Sequence, residues 1–103
     1  MAFATHEIRD RIGVLTLEMR LEHSHSLKDK RHVVQGLKAR LRQRFNVAVA
    51  EIGYQDLWQR ALVAAVTVSG DHTRAQQVLD SVDKEASLLL GADLVDARIE
   101  WME

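Results

Sequence analysis

Seven cations, Lys28, Lys30, Arg31, Lys38, Arg40, Arg42 and Arg44, fall within residues 28–44 against a single acid, Asp29, a local net charge of +6. Residues of this type at this density do one kind of chemistry well. They hold anions, phosphates above all, through charge-assisted hydrogen bonds. The rest of the chain has seven basic and fourteen acidic residues and carries −7, so the overall net charge of −1 conceals a polarised molecule with one basic face.

Other chemistries find less support. His23 and His25, with His32 nearby, have no carboxylate or fourth ligand at ligand spacing, so no metal is expected. Nucleophilic catalysis needs an activated Ser, Thr, Lys or Asp beside a base, and no such constellation is readable. The run "VVQG" at residues 33–36 resembles a fragment of a phosphate loop, but its setting inside a helical pattern rules that use out. Cysteine is absent, which excludes disulfides and thiolate chemistry and fits a reducing compartment. The longest apolar run, residues 61–68, is too short to span a bilayer, and "MAFATHEIRDR" has no apolar signal region. A cytoplasmic, non-enzymatic protein without a cofactor is the expectation.

The elements that must position these cations follow from hydrophobic period. Residues 12–22 alternate, with Leu15, Leu17, Met19 and Leu21 on one side and Thr16, Glu18, Arg20 and Glu22 on the other, a half-buried strand. Ser26 can cap a helix running to about Arg44, with Asp29 at the third helical position in a variant of the capping box. Leu27, Val33, Val34, Leu37 and Leu41 form its apolar face. Residues 45–53 and 60–69 read as a hairpin with a longer loop. A second helix starts at Gly70-Asp71 and buries Ala75, Val78, Leu79, Val82, Ala86 and Leu89, with Gly91 as its stop. Val95, Ala97, Ile99 and Trp101 then share the inward side of a last strand. The order β-α-β-β-α-β predicts an α+β, ferredoxin-like domain: a four-stranded antiparallel sheet with two helices on one face. Residues 12–103 form that single domain, and residues 1–11 precede it as an N-terminal extension.

On the first helix, Lys28, Arg31, Gln35, Lys38 and Arg42 fall in one stripe beside the apolar face. Arg40 and Arg44 flank the other side of that face, and Lys30 projects toward the core edge. Cations near a helix N-terminus oppose its dipole, and with almost no acid inside the helix, pairing along it is unavailable. A local rule broken without visible compensation tends to mark function. The stripe, together with Lys30 and with Arg60 from the hairpin, is the candidate nucleic-acid-binding set. The third strand, "RALVAAVTVS", lacks the aromatics on which RNA-recognition modules of this fold stack bases, so contacts through phosphates are expected instead. In the hairpin, Trp58 and Tyr54 with Arg60 could stack a base, but the expected role of Leu57 and Trp58 is to pin the loop against the helix ends.

The stretches "GVLTLEM" (13–19), "SLKDKR" (26–31), "RFNVAVAE" (44–51), "QDLWQRA" (55–61) and "IEW" (99–101) together resemble the bacterial YlxP-like family, over about residues 12–102. The resemblance implies a ferredoxin-like domain of the bacterial cytoplasm, linked to the ribosome or RNA by the company its genes keep. It carries no catalytic residue over. The expected function is binding of RNA or a ribosomal particle through the first helix. The alternative is a protein–protein interaction module: a homodimer through the open sheet face, with the basic helix docking an acidic protein. An enzyme holding phosphorylated small molecules at the helix N-terminus ranks third.

Overall fold

Leu15, Leu17 and Met19 are fully buried along the first strand, β1 (Ile12–Arg20), as the period-two pattern requires. They are seen in a computed structural model that describes residues 10–102, so the N-terminal extension expected over residues 1–11 lies almost wholly outside the described residues. Helix α1 (Leu27–Arg44) follows, then β2 (Ala48–Gly53), β3 (Arg60–Val68), α2 (His72–Leu90), a single 3-10 turn and β4 (Leu94–Trp101). The four strands form one antiparallel sheet in the order β2-β3-β1-β4. Helix α1 packs over β2, and α2 packs over β1, β3 and β4, so both helices cover one face. This is the ferredoxin-like α+β arrangement.

Local chemistry sets the helix ends. The Ser26 hydroxyl accepts from Asp29 N–H at 3.0 Å, and the Asp29 carboxylate reaches back to His25 N–H at 2.9 Å, one residue earlier than in an ordinary capping box. Asp71 caps α2 by accepting from Arg74 N–H at 2.8 Å. Gly91 ends α2 at φ +54°, a left-handed setting that suits glycine.

The core joins Leu15, Leu17 and Met19 to Val34, Leu37 and Leu41 of α1 and to Leu79, Val82 and Ala86 of α2. Several expected core positions lie elsewhere. Leu27, Val33 and Leu89 are exposed because the two helices meet the sheet over narrower faces than their apolar stripes. The second strand starts at Ala48, because Phe45 closes α1 through its N–H to the Leu41 carbonyl. In β4 the register against β1 shifts between Glu18 and Met19, so Met19 pairs with Leu94 and Val95 is turned to solvent.

Gly13 shows how tightly the sheet meets α2. A Cβ there would lie 2.6 Å from Leu79 Cδ1 and 2.7 Å from Trp101 Cζ3. Trp101, pressed against the core from β4, therefore needs a residue without a side chain opposite it on β1. Gly13→Ala is expected to lower stability by about 1–3 kcal/mol through overpacking, read as a shifted urea midpoint with an unchanged slope. An unshifted midpoint would mean that Trp101 and Leu79 have room to move.

Candidate nucleic-acid interface

The seven cations of α1 meet different fates, and the division follows the faces of the helix. Lys30 is the most deeply committed. Its side chain is only 3% exposed, and its ammonium lies 3.0 Å from Glu51 Oε2. It also donates to the carbonyls of Tyr54 at 2.7 Å, Gln55 at 3.2 Å and Arg60 at 3.3 Å. Glu51 sits at an inward register position of β2, opposite Val63, so its carboxylate points under the helix. Its Oε2 is buried, receives no well-aligned hydrogen bond, and is held by that ion pair. Lys30 thus does not reach solvent and is withdrawn from the anion-binding set.

Arg40 and Arg44 face α2. Both converge on the buried carboxylate of Glu85, at 3.1 Å and 2.7 Å. The acid missing inside α1 is supplied across the helix–helix seam. Arg42 donates to the Val49 carbonyl of β2 at 2.7 Å, with the residue otherwise exposed. Lys28 and Arg31 are exposed and Lys38 is half-exposed, and none of the three makes an ion pair with a described residue. The expected stripe therefore remains, running from the capped end of α1 through Lys28, Arg31 and Lys38 to Arg42.

Arg60 lies elsewhere. It opens β3 on the face of the sheet away from the helices, opposite Arg20 of β1. Its guanidinium stacks over the Tyr54 ring at 4.1 Å and bonds Glu18 at 2.7 Å and the Tyr54 hydroxyl at 3.0 Å. The hydrogen bond it donates to Glu18 holds the guanidinium above its ordinary pKa, against a weaker opposing effect of desolvation. Glu18 on the open sheet face is thus matched by Arg60.

The hairpin loop departs most from expectation. Leu57 is 47% exposed and Trp58 51% exposed, so neither pins the loop. The fastening is polar instead. Lys30 takes the loop carbonyls, and Gln59 Nε2 donates to the carbonyls of Glu22 and Ser24, both at 3.2 Å. Tyr54 holds a left-handed φ of +58° at the start of this loop, its carbonyl bound by Lys30. Sequence reasoning also missed Glu51 and Glu85. Both stand on inward-facing periods, Glu51 two residues after Val49 and Glu85 three after Val82, and a carboxylate there announces a buried partner.

Among the described residues, no cluster of three or more His, Cys, Asp or Glu could hold a metal, and no helix is long and apolar enough to cross a membrane. A four-stranded antiparallel sheet with both helices on one face, one of them carrying a basic stripe, defines a small ferredoxin-like α+β domain. The chain belongs to the family described as a protein of unknown function, DUF503, whose model matches residues 12–99. It is 37% identical over 90 residues to the uncharacterized protein YlxP of Bacillus subtilis (strain 168), a match covering 87% of this chain and 98% of that protein. Two solved structures share the architecture at 11% identity. SnoaB, a cofactor-independent oxygenase from Streptomyces nogalater, gives a TM-score of 0.53 over 90% of this chain and 92% of its own. A putative antibiotic biosynthesis monooxygenase from Bordetella bronchiseptica gives 0.51 over 89% and 95%. At that identity the likeness is one of fold alone.

Lys30 generates a prediction. Lys30→Met leaves Glu51 as an uncompensated buried charge and three carbonyls without their donor, and is expected to cost about 3–5 kcal/mol in chemical denaturation. Adding Glu51→Leu removes the stranded charge and should recover part of that loss. A double variant as unstable as the single one would move the cause to the carbonyls.

Proposed function

We propose that this chain is a non-catalytic accessory domain that binds RNA, free or within a ribosomal particle, through the solvent face of α1. One observation carries the reading. The cations of α1 that face its neighbours are matched by Glu51 and Glu85, whereas Lys28, Arg31 and Lys38 have no ion pair with a described residue. An exposed helix face that serves only solvation ordinarily mixes both signs at i,i+4 spacing, and α1 has no acid after Asp29. A nucleic-acid backbone supplies the missing charges at repeated intervals. Such contacts position a strand without reading its sequence. The stripe begins where the dipole of α1 already favours an anion, so Lys28 and Arg31, badly placed for stability, are well placed for a phosphate.

The test separates binding from scaffold. In a protein carrying Lys28→Glu, Arg31→Glu and Lys38→Glu, RNA affinity is expected to fall across sequences. The log–log salt slope should drop by about one unit for each lost phosphate contact. Stability should change by no more than about 0.5 kcal/mol per exposed site, with relief of the dipole conflict at Lys28 and Arg31 offsetting part of any loss. Unchanged RNA binding together with a large fall in melting temperature would make the stripe scaffold.

A second reading has its own observation. The sheet face away from the helices carries Ala48, Ala50 and Ile52 on β2, Leu62, Ala64, Val66 and Val68 on β3, and Val14 on β1, while Asp96, Arg98 and Glu100 gather on β4. A two-fold axis along β3 would lay β3 over its own copy and β2 over the β1 of the second copy, with the charged β4 at the rim. On this reading the protein is a homodimer whose basic helices face outward. Light scattering at micromolar concentration should then give twice the chain mass, and Val66→Arg should halve it. A strict monomer ends the reading.

A further inference from the structure

Trp58 and Leu57 stand at the tip of a loop that is anything but loose. Lys30 binds the carbonyls of Tyr54 and Gln55 at one end of it and of Arg60 at the other. The side chain of Gln59 bonds two carbonyls of the segment leading into α1, and its own carbonyl accepts from Leu21 N–H at 2.8 Å. Leu57 N–H closes a turn onto the Tyr54 carbonyl at 3.0 Å. Such a loop could bury its largest side chain at no further ordering of the backbone, yet Trp58 stays half in water beside an open concavity of about 390 Å³ lined by Asp56–Arg60. A rigid mount under an exposed aromatic is the arrangement of a recognition residue rather than of a packing defect.

The surroundings choose the partner. The turn of α1 that supplies Lys30 to this loop also carries Lys28 and Arg31, and the strand pair beneath the loop ends in Arg20 opposite Arg60. Arg20 makes no ion pair with a described residue. Asp56 also lines the concavity, and Arg60 is paired with Glu18. The cations at this end without an ion pair to a described residue are therefore Lys28, Arg31 and Arg20, which an apolar pocket on another protein would not call for. A nucleobase needs just this combination, a flat aromatic for its π-face and cations for the phosphates on either side. We infer that Trp58 is a stacking platform for an unpaired base, so that this end of the molecule prefers single-stranded RNA. A base inside a duplex already has its faces covered.

This inference rests on the RNA reading above, and the experiment keeps the two apart. Labelled oligouridine and a short RNA duplex are titrated with the full chain, with Trp58→Ala, with Trp58→Phe and with the α1 charge-reversal protein. Trp58→Ala should weaken oligouridine binding about tenfold or more and leave duplex binding unchanged. Trp58→Phe, which keeps a stacking ring, should retain most of the affinity. Oligouridine binding that survives Trp58→Ala but is lost on charge reversal overturns the stacking role and leaves the phosphate track standing. Absence of binding by the parent protein overturns both. A Trp58→Ala protein that changes its melting temperature or mass in solution instead of its affinity assigns the ring to packing or to a protein contact, and also overturns the proposal.

Discussion

The ammonium of Lys30 is the fixture on which the working end of this domain depends. One buried cation ties the first turns of α1 to β2 through Glu51, and to both ends of the hairpin loop through three carbonyls. A loop between two strands ordinarily exposes its carbonyls to water. Here they are satisfied from within, so the loop is held at the end of the helix rather than left to its own sampling. The left-handed Tyr54 is tolerated in that setting because its carbonyl is bound by Lys30 and its ring lies under Arg60.

Charge in this molecule is sorted by direction. Glu51 and Glu85, each on an inward face, collect the cations that point toward the sheet and toward α2. Loss of Glu51 would strand the buried Lys30 ammonium, whereas Glu85 keeps a second arginine when either of its two is lost. The solvent face of α1 receives no such partner from the described residues. The same 18-residue helix thus acts as a structural strut on two sides and presents a field on the third.

The order of elements was legible because each carries a clean period. Alternation marks β1, helical spacing marks α1 and α2, and Ser26, Asp71 and Gly91 punctuate them where caps are needed. What depends on contacts between elements was not. The shift in β4 that turns Val95 outward comes from pairing with β1 and leaves no trace in the local pattern. Trp58 was assigned to packing on the general habit of large aromatics, and that habit gave way because Lys30 and Gln59 fasten the loop by polar bonds alone. The basic stripe was visible as a stripe, but its division into matched and unmatched cations depends on Glu51 and Glu85, which are distant in sequence.

The bond from Arg42 to the Val49 carbonyl has a consequence for how the molecule behaves among its own kind. Strand β2 borders the sheet, paired with β3 and with no described strand on its other side. An unpaired border strand is the ordinary starting point for runaway association, in which one chain's free carbonyls recruit the amides of the next. At Val49 that acceptor is already occupied by a guanidinium from the same chain, and the cation brings self-repulsion to any second copy approaching along that margin. Arg42 therefore blunts this margin of the sheet in the manner of a gatekeeper residue.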